Sequence, residues 1–94
     1  MLTSVDTDLI RVLADPLRLQ IVTLLAKETL CTTHLIEETG AKQTNLSNHL
    51  KVLREAGLLS SERRGSWVYY RVEPAALHQL SQLLDIALPE ALAR

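Results

Sequence analysis

Ninety-four residues, 47% of them hydrophobic but with only three aromatics and no Phe, make one small domain, 1–94, with an aliphatic core. A chain this short buries about 60–65% of its unfolded surface and is marginal alone. One cysteine excludes an internal disulfide. No apolar run reaches the ~18 residues of a membrane span, and the acidic start MLTSVDTDLI is unlike a signal peptide, so a cytoplasmic location is expected.

Taken in chain order, residues 5–13 place Val5, Leu9 and Val12 on one helical stripe. Asp15-Pro16 then reads as a helix start, the Asp accepting from free amides at the N-cap and the Pro fitting the first helical position. The second helix, 17–26, carries Leu17, Ile21, Leu24 and Leu25. Thr32 or Thr33 is expected to cap a third helix ending at Thr39, with Gly40 just past its end. Only 41–43 separate it from a fourth helix, 44–56, whose inner stripe is Leu46, Leu50 and Leu53. A short turn containing Gly between two helices is the mark of a helix-turn-helix. Residues 58–64 and 67–72 read as strands, the second rich in Val, Tyr and Trp, around the turn residues Gly65-Ser66. Pro74 opens a last helix with Leu77, Leu80, Leu84, Ala87 and Leu88 on one side, frayed or kinked at Pro89.

The fold class expected is mainly α with a small β-hairpin (α+β), in the order α-α-α-α-β-β-α. The first and last helices show apolar stripes without an obvious partner in a compact core. They are expected to pair with each other and with a second subunit, giving a homodimer.

The net charge of −1 hides a local split. Residues 41–72 hold six basic and two acidic side chains, a net of +4, and the remainder is −5. A basic segment on an acidic body is the footprint of a nucleic-acid binder, although a solvated mixed-charge surface has the same composition. The fourth helix supplies side chains that suit base edges: Gln43, Thr44, Asn45, Ser47 and Asn48. Asn and Gln pair with adenine, and Ser and Thr are less selective. Lys51 and Arg54 lie further along and suit phosphates. Arg63 and Arg64 at the hairpin tip are in place for phosphate or minor groove. Trp67 and Tyr70 are expected to wedge the hairpin against the body. No nucleophile–base pairing, phosphate loop or catalytic carboxylate pair is present, so an enzyme is not expected.

Four stretches in this order, LADPLRLQIVTLL (13–25), ETLCTTHL (28–35), LSNHLKVLREAGLL (46–59) and RRGSWVYYRV (63–72), resemble the ArsR/SmtB family of winged-helix repressors. The resemblance implies a homodimer binding a palindromic or near-palindromic operator in double-stranded DNA, more often as a repressor than an activator, with metal binding releasing the DNA in many members. It gives His49 a backbone-contact or packing role. It also implies a capping Ser where this chain has Lys42, so Thr44 is expected to take that role in a helix that starts later.

The family's metal sites are only partly matched. Its Cys-x-Cys site at the third helix finds Cys31 but Thr33, and a third cysteine position falls at Ile36. Soft ions want two or three thiolates. Its last-helix site falls on Pro74, Ala76, Ala87 and Glu90, of which only Glu90 is a ligand type. His78 and Asp85 are two turns apart on that helix. What remains is Cys31, His34, Glu37 and Glu38. The spacing puts His34 on one helix face with both glutamates, a donor set for Ni(II), Co(II) or Zn(II). A capped helix with a solvated His-Glu face accounts for the same residues. An effector sensed by a partner protein, a redox role for Cys31, or a winged helix that binds proteins rather than DNA are the alternatives.

Overall fold

The computed structural model describes residues 4–82, with side-chain surroundings from residue 8 onward. Its elements are α1 (Ser4–Val12), α2 (Pro16–Lys27), β1 (Leu30–Cys31), α3 (Thr32–Thr39), α4 (Gln43–Glu55), β2 (Leu59–Arg64) and β3 (Trp67–Val72). A final helix, α5, runs from 74 to the end of the described residues. Leu84, Asp85, Ala87, Leu88, Pro89 and Glu90 of the expected last helix lie outside that range.

The start of α2 follows from two residues. The Asp15 carboxylate accepts from the amides of Leu17 (2.9 Å) and Arg18 (3.1 Å), and Pro16 stands where a missing N–H costs nothing. Behind it, Ile21, Val22 and Leu25 are buried. They meet Leu35 of α3, Leu46, Leu50 and Leu53 of α4, Leu58, Leu59 and Val72 in one cluster. The leucines of α4 are 0%, 2% and 0% exposed, as their spacing predicts.

The turn into α4 is built from Thr39 and Gly40. Gly40 adopts φ 71, and its amide donates to the Ile36 carbonyl at 2.8 Å, closing α3. A side chain is disfavoured in this left-handed conformation. The Thr39 hydroxyl donates back to the Leu35 carbonyl (2.7 Å) and accepts from the Ala41 amide (3.2 Å). Three residues thus reverse the chain between α3 and α4 without stranding the amide of Ala41.

Two expected caps do not form. Cys31, not Thr32 or Thr33, is the N-cap of α3, and it makes no side-chain cap bond. The cause is an unforeseen strand: Leu30 pairs with Tyr70 and Cys31 with Tyr69, which holds Cys31 extended and starts the helix at Thr32. The hairpin therefore belongs to a three-stranded antiparallel sheet of order β1-β3-β2, and the element order gains a strand before α3. Likewise Lys42 is the N-cap of α4 with no side-chain bond, and Thr44 lies inside the first turn. Burial of Leu46, whose amide donates to the Lys42 carbonyl at 2.9 Å, sets that start in place of a capping hydroxyl.

The outer helices are not wholly without partners. Leu9 of α1 (4% exposed) and Ala76 of α5 (6%) belong to the core, with Val12, Leu77 and Leu80 packed against it. Ile10 alone of the described α1 apolar side chains stands open, at 52%.

Candidate nucleic-acid interface

Helix α4 is two-sided. Leu46, Leu50 and Leu53 form one row, and Thr44, Asn48 and Lys51, also spaced i, i+4, i+7, form a row on the opposite side. Gln43, Thr44, Asn45, Ser47, Asn48, Lys51 and Arg54 are all exposed. With no side-chain cap and no acidic residue in its first turn, the helix turns its free N-terminal amides and the positive end of its dipole to solvent. His49 differs from its neighbours. It is half-buried, and its Nδ1 is enclosed without a hydrogen-bond partner, which fits packing rather than base reading.

The hairpin turns at Gly65, φ 62, followed by Ser66 without positive φ. A left-handed first central residue and an ordinary second one is the II′ arrangement, whose twist suits the flanking strands. Arg63 and Arg64 sit beside this turn, paired with Val68 and Trp67. Arg64 donates twice to Glu62 (3.1 and 2.9 Å) and lies 5.0 Å over the Tyr69 ring. Among the described residues Arg63 makes no side-chain hydrogen bond or ion pair. Arg54 reaches from α4 to the Ser61 hydroxyl at 3.4 Å, bridging helix and hairpin.

Tyr70 is half-buried against the core, as expected, but Trp67 is 51% exposed. It does not wedge the hairpin against the body, because β3 places it at the free end, far along the strand from buried Val72. Sequence reasoning also missed the Glu62–Arg64–Tyr69 contact. Its trace was there to read: Glu62 and Arg64 are two apart in a strand, hence on one face.

A family model described as bacterial regulatory protein, arsR family, matches residues 15–61, from the cap of α2 into β2. The arsenical resistance operon repressor of Escherichia coli K12 is 39% identical over 80 residues, covering 84% of this chain and 68% of that one. The chain belongs to the arsR family of bacterial regulatory proteins.

Members of this arsR family are DNA-binding transcription regulators, not enzymes. An arsenic resistance transcriptional regulator of Pseudomonas putida is 44% identical over 63 residues, 66% of this chain but 49% of its own length, so the chain spans about half of that relative. The fold agrees with a homodimeric winged helix-turn-helix DNA-binding domain from Mycobacterium bovis. The TM-score is 0.75 at 29% identity, covering 95% of this chain and 82% of that one. No helix among the described residues is long and apolar enough to cross a membrane.

Among the described residues, the metal-ligand candidates of the third helix do not come together as one site. Cys31 is buried, with Sγ 3.2 Å from Nδ1 of His34. Glu37 and Glu38 are exposed. No group of three or more His, Cys, Asp or Glu that could hold an ion occurs among the described residues. Of the four residues suggested by spacing, the structure joins two. The i, i+3 and i, i+4 spacing shares a face but does not converge the carboxylates, and Cys31, buried and paired with Tyr69 in the sheet, has His34 as its side-chain partner.

Proposed function

We propose that the chain is a homodimeric transcriptional repressor that reads a palindromic operator through α4 and the β2–β3 hairpin. The observation that carries this reading is the two-sided α4. A row of polar side chains stands opposite a buried leucine row, behind a three-residue turn and beside the β2–β3 hairpin. Asn45 and Asn48, with Gln43, Thr44 and Ser47, offer the paired donors and acceptors that major-groove edges require. Lys51, Arg54 and the wing offer cations to the flanking phosphates. Pairing of two copies gives two such helices for two half-sites. The homodimeric Mycobacterium bovis domain and the repressor name of the Escherichia coli relative support dimer and sign of regulation.

For an effector ion such as Ni(II), Co(II) or Zn(II), Cys31 and His34 are the two of the four candidate donors in contact, and no group of three or more donors occurs among the described residues. Tetrahedral zinc takes four. Cys31 and His34 alone therefore do not complete such a site, and the DNA-binding reading does not depend on one.

The test is anisotropy titration of the chain against duplexes from upstream of its own coding sequence. Affinity is expected to fall steeply with salt. For three or four phosphate contacts per protomer, a dimer has a slope of log K against log salt of about −5 to −7. Absent or salt-insensitive binding overturns the reading.

A further inference from the structure

The two wing arginines leave the sheet on opposite faces, and only one face looks toward the recognition helix. Leu59, Ser61 and Arg63 alternate along one side of β2, and Ser60, Glu62 and Arg64 along the other. Three observations orient the first side. Leu59 is 3% exposed within the core that holds Leu50 and Leu53. Its partner Val72 is in the same cluster. Ser61 accepts from Arg54 of α4. Arg63, two residues beyond Ser61, continues that side past the edge of the body, where among the described residues its side chain meets no partner.

The second side is occupied with itself. Its cross-strand pairs are Ser60 with Arg71, Glu62 with Tyr69 and Arg64 with Trp67. Arg71 donates to the Ser60 hydroxyl at 3.1 Å. Arg64 sits across Glu62 and Tyr69 at once, its guanidinium turned back along the sheet by an ion pair at 2.9 Å and a ring at 5.0 Å. A guanidinium placed so is paired with a carboxylate on the face opposite Ser61 and Arg63.

Resting on the DNA-binding reading above, we infer that the wing contacts the nucleic-acid backbone through Arg63 alone, while Arg64 clamps the hairpin from its outer face. Tip arginines adjacent in sequence thus have different work. Of the cations between 41 and 72, Arg64 and Arg71 belong to the outer face of the sheet, and the reading side is left with Lys42, Lys51, Arg54 and Arg63.

The experiment compares salt dependence of DNA binding for wild type, Arg63→Gln and Arg64→Gln. Glutamine keeps most of the stem while removing the charge and, at position 64, the ion pair to Glu62 and the contact over Tyr69. Losing a phosphate contact flattens the log K–log salt slope by about 0.9 per protomer, ~1.8 for a symmetric dimer. Arg63→Gln is expected to show that flattening, with Arg63→Lys restoring the slope. Arg64→Gln is expected to leave the slope unchanged and to lower Tm. Equal flattening by the two glutamine variants, or none with Arg63→Gln, overturns the assignment. A wild-type slope near zero marks instead the failure of the DNA reading, and the assignment falls with it.

Discussion

Asp15 shows how one side chain sets an element. Its carboxyl is held below the ordinary 3.8, chiefly by the Arg18 amide hydrogen bond, with the charge of His49, the Leu17 amide and the charge of Arg18 adding and burial opposing. Because the folded-state value is depressed, the stabilisation is present above the unfolded value and is lost as pH falls through the folded one. Asp15→Ala is therefore expected to lower Tm at neutral pH, with Asp15→Asn closer to wild type because Asn also caps. The gap between wild type and Asp15→Ala should close as pH falls below 3.8, and a gap that stays constant with pH contradicts this. The role of Asp15 was legible from Asp-Pro alone. For Arg64 only the pairing with Glu62 left a trace, in strand alternation, and its seat over Tyr69, five residues away across a turn, did not. His49 also reads as one more polar residue of α4, and only packing shows that its ring is half enclosed.

At the scale of elements, leucine spacing carries most of the information. Leu46, Leu50 and Leu53 name the inner face of α4 because a helix of this length can hide only one side. Leu50→Ala removes a side chain that is 2% exposed and is expected to cost about 2–5 kcal/mol, against a whole-domain stability of about 5–15 kcal/mol. Denaturant unfolding measures this, and a loss under 1 kcal/mol, far below the ~2 kcal/mol floor for such truncations, shows the cavity collapsing. Strand β1 was invisible in sequence because two residues, Leu30 and Cys31, have no period. The two missing caps have separate tertiary causes. Cys31 is committed to its pairing with Tyr69, and Lys42 begins α4 because Leu46 must face the core. In both places tertiary contacts outweigh local capping preference.

For the whole molecule, the open question of association turns on α1. Leu9 is spent on the core, and Ile10 beside it is 52% exposed. Burying such a side chain in a dimer contributes about 1.5–3 kcal/mol. Ile10→Glu is expected to weaken the dimer in sedimentation by one to two orders of magnitude, since 1.4 kcal/mol is about tenfold, while leaving Tm of the monomeric fold nearly unchanged. Unaltered self-association excludes α1 from the interface. The homodimer itself was inferred from apolar stripes, and part of those stripes serves the chain's own core, a division that periodicity does not reveal.

Strand β1 has a mechanical consequence out of proportion to its length. By pairing with β3 it makes β3 the middle strand, so the hairpin is a cantilever, clamped at its root beside α3 and free at Gly65. The hairpin cannot swing away from α3 without breaking the β1–β3 pairing. The span from α4 to the wing tip is then a fixed gauge carried by the protein. A duplex whose groove and flanking backbone do not match that gauge has to bend to meet it, so base steps that neither element touches enter the selection through their stiffness.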